Sequence, residues 1–422
     1  MKVSKNISKI INDPVHGFIS IPGGFIYELL KHPFFQRLRY IKQLGLSEYV
    51  YPGATHSRFQ HSLGALHLMA LALETLGNKG IEISAEEEEA AMAAILLHDI
   101  GHGPFSHALE YFLVEKASHE TLSLAVMQRL NHEFKGKLDL AISMFTGKYG
   151  RAFFHDLISS QIDMDRLDYL VRDTYYSGVV EGSVGSGRII KMINVKDGRL
   201  VVEEKGIYSI EKFLIARRLM YWQVYMHKTV VSAERLLINI ILRAKELLSL
   251  GISLKSSSLL NYFLINQLPE NSTSDSASIS EDLLDKYLEI DDNELLASIR
   301  MWKDSDDKIL SDLSGRLLSR DLLAIELQNQ SFDSDNVKQK SDMAGKIMKL
   351  NIAGMKYYVF SGEVSNRTYA PSAPSVKILT KSGDLKEITE VSDMLNHDAL
   401  SQKTTKYFLC YPKELRNKIS RK

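Results

Sequence analysis

Three histidines and an aspartate fall within ten residues in Leu97-His-Asp-Ile-Gly-His-Gly-Pro-Phe-Ser-His-Ala, from 13 histidines in a chain of 422. A buried carboxylate is costly unless it is hydrogen-bonded or bound to metal, so His98-Asp99 reads as a structural pair or part of a metal site. His61, in Arg58-Phe-Gln-His-Ser-Leu-Gly, adds an imidazole at the start of an apolar helix. Neutral imidazole is a common transition-metal ligand. A third segment, Asp165-Arg-Leu-Asp-Tyr-Leu-Val-Arg-Asp, is helical in pattern. With Asp165 at zero, Tyr169 falls near ~40°, Arg172 near ~−20° and Asp173 near ~80°. One face is packed, and the other carries carboxylates, an Arg and a Tyr. Each segment alone also has a structural reading. Together they supply two His and two Asp, a mixed set that suits Mn, Fe, Co, Ni or Zn, and Mg less well. Four protein ligands on an octahedral ion leave two positions for water and a substrate oxygen, as a catalytic site requires.

These residues need rigid elements behind them. Residues 7–24 alternate and turn as a short hairpin, and from Phe25 to about Leu250 the pattern is mostly helical. Ser84-Ala-Glu-Glu is a capping box that starts a helix ending at His98-Asp99. The acidic run Glu86 to Glu89 reads as its solvated first turn. The Ala90-Ala-Met-Ala-Ala-Ile-Leu-Leu stretch is apolar nearly all round, hence buried. A polar, Ser-rich stretch follows Pro269, helical periodicity returns from Glu281 to about Leu327, and Tyr357-Tyr-Val-Phe, Ser375-Val-Lys-Ile-Leu and Lys406-Tyr-Phe-Leu-Cys-Tyr read as strands around a short helix near Glu390. The expected fold is mainly α: a helical domain over 1–268 with its N-terminal hairpin, a linker or loop over 269–282, and a smaller helical, then α/β, domain over 283–422. Gly182-Ser-Val-Gly-Ser-Gly matches no phosphate-binding motif and reads as a loop.

Composition narrows the function. Lys plus Arg and Asp plus Glu are both 52, so general nucleic-acid binding is not expected. The basic run from Lys413 reads as a solvated tail. A single cysteine, Cys410, excludes an intrachain disulfide framework and fits a reducing cytoplasm. The start lacks the apolar run of a signal peptide, and no stretch approaches the roughly 18 apolar residues of a membrane span. A cytoplasmic location is the expectation.

The H…HD…D arrangement of His61, His98-Asp99 and Asp165 resembles the signature of HD-domain phosphohydrolases. With Asn12-Asp-Pro-Val-His-Gly, Phe35-Gln-Arg-Leu-Arg-Tyr-Ile-Lys-Gln-Leu-Gly and the segments above, the chain from about Ile10 to Arg235 resembles the deoxynucleoside triphosphate triphosphohydrolases, without a preceding sterile alpha motif. The resemblance implies that His61, His98, Asp99 and Asp165 hold one divalent transition metal per chain, with Mg possible. It implies that Arg58 and Arg166 contact phosphates. His102, His107 and His119, with Glu110 in support, would be the catalytic group, and His107 the acid toward the leaving 5′ oxygen. Gln43, Leu44, Tyr169 and Asp173 would meet the sugar, with Tyr169 excluding a 2′-hydroxyl. Tyr225, next to Met226, would lie by the base; Tyr221, Tyr225 and Lys228 share one face of a regular helix. Arg39 resembles an activator-site arginine, but Lys31 stands where that site needs a carboxylate for guanine.

The expected reaction is hydrolysis of a dNTP to deoxynucleoside and triphosphate. The alternatives are a phosphohydrolase for another nucleotide, monophosphate or cyclic, or a nucleotide- or nucleic-acid-binding regulator without turnover. A homo-oligomer, dimer or tetramer, is also expected. The apolar strand segments after Lys356 must pack on the helical domain or on another subunit.

Overall fold

The computed structural model describes residues 7–114, 117–266, 279–366, 375–394 and 403–419. The Ser-rich stretch 269–278 lies outside them, while Ser280 caps the helix that follows.

Strands β1 (Ile7–Asp13) and β2 (Gly17–Pro22) form the expected antiparallel hairpin. Its turn is built by Asp13, whose Oδ1 accepts the backbone N–H groups of Val15 and His16 at 3.0 and 2.9 Å. Gly17 follows at φ 74°, a left-handed conformation that glycine adopts at no steric cost. Helix α1 (Arg58–Asn78) opens with a capping box from Ser57 and Gln60, which fixes where His61 sits in its first turn. Helix α2 (Ala85–Leu97) opens with the expected box from Ser84 and Glu87 and is buried from Ala90 to Leu97. Glu87 corrects the reading of its acidic run. It is buried, not solvated, and accepts hydrogen bonds from Arg151 and Tyr149.

Helices α3 (His119–Glu133), α4 (Met164–Ser177) and α5 (Ile207–Met220) complete the walls of the first core. A second core gathers around α6 (Lys228–Ser249), with α7 (Glu281–Tyr287), α8 (Asp292–Trp302) and α9 (Lys308–Leu318). The two cores meet at the loop after Asp99: Phe105, Ala108 and Leu109 pack into the second core, while Ile100 packs into the first.

The helical stretch also contains strands that its periodicity concealed. Strands β3 (Ile193–Lys196) and β4 (Arg199–Glu203) form a hairpin. Strand β7 (Lys377–Leu379) adds to it in parallel through Val202–Ile378, and β8 (Leu385–Glu387) adds to β7. A separate antiparallel sheet has the order β5 (Ala324–Gln328), β9 (Thr404–Tyr411), β6 (Phe360–Asn366). The late strands therefore divide between the two cores. Tyr357 to Val359 precede β6 instead of forming it, and they and Phe408 to Tyr411 are buried within the chain. Their apolar character is accounted for by this chain's own helices and no longer argues for a second subunit. The predicted helix near Glu390 is the single turn Ile388–Val391. The glycine-rich stretch from Gly182 is a loop only to Gly185, because Ser186–Met192 is helical. Among the described residues, no helix is long and apolar enough to cross a membrane.

Candidate active site

Helices α1, α2 and α4 bring together the four candidate cation ligands. His61 Nε2 and His98 Nε2 face each other at 3.3 Å. Asp165 Oδ1 lies 3.1 Å from His61 Nε2 and 3.5 Å from His98 Nε2, and Asp99 Oδ1 lies 3.4 Å from His98 Nε2. Both imidazoles are pinned from behind. His61 Nδ1 meets Asp168 Oδ2 at 2.8 Å, and His98 Nδ1 meets the carbonyl of Ile95 at 2.7 Å. Each Nδ1 is thereby engaged as donor, which turns a lone pair on each Nε2 toward the same point. Two facing imidazole nitrogens gain nothing from each other as neutral acceptors. Their convergence with two carboxylates fits a divalent cation.

The charges tell the same story. Burial raises the pKa of Asp165, but hydrogen bonds from His61 and His98 outweigh it and hold the carboxyl well below its usual range. Burial also opposes a charged His61, yet Asp165, Asp168 and Asp99 hold it up to about 10. This is proton-mediated attraction that a cation would replace.

The outer support comes from far along the chain and was not foreseen. Asp168 also bonds His16 Nε2 at 2.6 Å and Arg172 Nε at 2.9 Å, and Arg172 continues to Asp13 at 2.8 Å. Arg172 thus corrects the helix-wheel reading. Its side chain, 0% exposed, turns behind the ligands, away from the cavity. The only advance signal for Asp13 and His16 was the Asn12-Asp-Pro-Val-His-Gly turn, to which no role had been given.

A cavity of about 580 Å³ opens in front of the ligands. Its wall includes Gln43, Leu44, Arg58, Asp99, His102, His107, His119, Asp165, Arg166, Tyr169, Asp173, Tyr221 and Tyr225. His61 and His98 are not part of this wall, nor is Glu110. Arg58 bonds Asp99 and also Ser106 Oγ, the latter at 2.9 Å. Arg166 donates to the carbonyl of Ser160 at 2.6 Å. His102 stacks on His119 at 4.0 Å between ring centroids, with His107 edge-on to both. Glu110 holds His119 Nδ1 at 2.5 Å and His107 Nδ1 at 3.1 Å, so both rings present Nε2 forward. Burial raises the Glu110 pKa, but these two histidines bring it far below the ordinary carboxylate range. Burial and the nearby Arg58 push His102 well below its usual value despite Asp99, so this ring is neutral.

On the other side, Asp173 accepts from Tyr225 Oη at 2.8 Å and meets His56 Nε2 at 2.8 Å. The helix containing Tyr221 and Tyr225 is not regular. Tyr221–Tyr225 is a π-turn, closed by Met226 N–H to Tyr221 C=O at 2.7 Å. Tyr221 and Tyr225 stay adjacent, 5.1 Å between centroids, but Lys228 falls beyond the break, exposed and off the cavity wall. Sequence reading missed Met226 as a lining residue in its own right, and also Val231, Glu234 and Val364. Lys31 and Arg39 are exposed; Lys31 lies over Tyr27, and Arg39 over Phe59.

The HD domain family matches residues 58–173, and the HD associated region matches 184–256. The uncharacterized protein YwfO of Bacillus subtilis is 31% identical over 421 residues, covering 96% of this chain and 93% of that protein. A Dictyostelium discoideum relative named as a homolog of the deoxynucleoside triphosphate triphosphohydrolase SAMHD1 is 29% identical, covering 79% of this chain and 71% of its own. The crystal structure of a phosphohydrolase from Bacteroides thetaiotaomicron superposes with a TM-score of 0.91 at 49% identity, over 96% of this chain and 99% of that one. With this site and this extent of likeness, the chain belongs to the HD-domain phosphohydrolases, and it resembles relatives named as dNTP triphosphohydrolases.

Proposed function

We propose that the protein hydrolyses deoxynucleoside triphosphates to deoxynucleoside and inorganic triphosphate. The observation that carries this reading is that one helix, α4, bears both Asp165 of the cation set and the pair Tyr169 and Asp173, all on the wall of a single cavity. A relative's name as a dNTP triphosphohydrolase supports the same substrate class.

His61, His98, Asp99 and Asp165 would hold one divalent cation. When bound, it supplies Lewis-acid polarisation of a phosphoryl oxygen and a more acidic water. Arg58 and Arg166 hold the phosphates through charge-assisted bonds. Water attacks the α-phosphorus, the bond from phosphorus to the 5′ oxygen breaks, and His107 gives that oxygen its proton. His119, oriented by Glu110, holds a phosphate oxygen beside it. Tyr169 lies under the sugar and leaves no room for a 2′-hydroxyl, while Asp173, fixed by His56 and Tyr225, accepts the 3′-hydroxyl.

The test is a turnover screen of the four dNTPs and four NTPs with Mn, Fe, Co, Ni, Zn and Mg, with products separated. Deoxynucleoside plus triphosphate supports the reading. Release of pyrophosphate, or equal turnover of ATP and dATP, would redirect it to another phosphoester. Tight nucleotide binding with no turnover under any metal would leave a binding regulator.

A further inference from the structure

Six carboxylates line the cavity: Asp99, Glu120, Asp163, Asp165, Asp173 and Glu234. Asp99 and Asp165 belong to the cation set. Asp163 caps α4, Asp173 is held by His56 and Tyr225, and Glu120 is exposed to solvent. Glu234 has no such occupation. It stands on α6, one turn beyond Val231, only partly exposed, with no hydrogen-bond partner among the described residues. Enclosed carboxylates are rarely left in that state. The neighbouring charge of Arg235, whose guanidinium lies over the Phe408 ring, opposes the effect of its burial. Among the described residues no ion pair joins it to Arg58 or Arg166, and it lines the same cavity as Val231, Met226 and Val364. These apolar side chains can grip a flat ring but cannot tell one ring from another.

We propose that Glu234 selects the base of the bound nucleotide by accepting ring N–H donors, and so favours guanine. The inference rests on the nucleotide reading of the cavity. A carboxylate repels phosphate, which places the triphosphate at the Arg58 and Arg166 side and the base toward Glu234. Guanine alone among the DNA bases presents an imino and an amino N–H side by side, matching the two oxygens of a carboxylate. Burial pushes the Glu234 carboxyl up to about 7, with Arg235 opposing, and paired N–H donors would favour its ionised form.

The test measures both equilibrium binding and hydrolysis of the four dNTPs by the wild type, Glu234→Gln and Glu234→Asp, with melting temperatures as the folding control. The wild type is expected to favour dGTP over dATP by roughly tenfold or more, the worth of one bidentate base contact. Glu234→Gln, which keeps one acceptor and adds a donor, is expected to bring the four within about threefold. Glu234→Asp keeps the charge, withdraws it by one methylene and is expected to fall between. Unchanged base ranking in both folded variants overturns the proposal and leaves dNTP hydrolysis standing. Selective dGTP binding without turnover, lost in Glu234→Gln, sustains the proposal and removes the hydrolytic reading. Binding of no dNTP overturns both.

Discussion

The two ends of the cavity are built on opposite plans. At the cation end, side chains are held from behind by buried partners: Asp168 behind His61, the Ile95 carbonyl behind His98, and Arg172 and Asp13 behind Asp168. At the other end the wall is assembled from separate stretches, through Leu44, Tyr225, Glu234 and Val364. One of these stretches is a π-turn and another comes from the late sheet. The difference teaches that the His/Asp cluster is held in place several times over, while the opposite wall is set only by the packing of distant stretches. A ligand set tolerates little displacement, since a cation fixes its distances, whereas a base or sugar can be met by several combinations of side chains.

The comparison is broken most severely at Asp165. Asp165→Ala should abolish both metal retention and hydrolysis, with helical content unchanged by circular dichroism. Elemental analysis that still finds one metal per chain would remove Asp165 from the ligand set. One layer out, Asp168→Asn should weaken metal affinity by about 10- to 100-fold, the usual cost of losing the carboxylate behind a ligating histidine. Metal titration at fixed pH reads this directly, and an unaltered affinity would reduce Asp168 to a packing role. At the other end, Tyr169→Ala should leave metal content intact and narrow the preference for dATP over ATP by roughly tenfold or more. Loss of dATP turnover with no change in the ratio would mean that Tyr169 does not read the sugar.

A last effect, on stability and not on turnover, concerns the brace between the second core and the His/Asp cluster. Asp292 is buried and accepts the backbone N–H groups of Lys42 and Phe105 at 2.9 and 2.8 Å, next to Gln43 and Ser106. Burial raises its carboxyl to about 6. A raised carboxyl pKa means that the folded state binds the proton more tightly. Asp292 therefore favours folding most at low pH, and this contribution is lost as pH rises from about 4 through about 6. Relative to Asp292→Asn, the wild type should lose up to about 3 kcal/mol of stability across that window. Parallel melting curves of the two proteins between pH 4 and 7 would refute it.

What could be read in advance follows the same division. The convergence of His61, His98, Asp99 and Asp165 was legible because clustered His and Asp at the ends of capped helices is a restricted pattern. Tyr169 and Asp173 followed from helical spacing with Asp165 as origin. Arg172 did not, because a wheel gives a direction without saying which long side chain has a better partner; Asp13, 159 residues away, supplied it. Lys228 was misplaced because a wheel assumes unbroken α-helix. Strands β3 and β4 were hidden because four or five residues between helices carry too little alternation to register. Glu234 and Val364 had no local signal, since only the packing of the second core against the first brings them to the cavity.

The π-turn at Tyr221–Tyr225 has a consequence for how such a protein can change. It holds one residue more than an α-helix needs, so the extra residue is stored where both flanking helices are already anchored. Removing one residue there would return the turn to α register while the flanking helices keep their orientation, and would step the later residues of the turn back by one position. A different residue would then face Asp173, with no shift in α5 or α6 themselves. Single-codon deletions at this turn are thus a route by which descendants of this chain could exchange the side chain beside Asp173 in one step, where point substitution would have to rebuild that wall residue by residue.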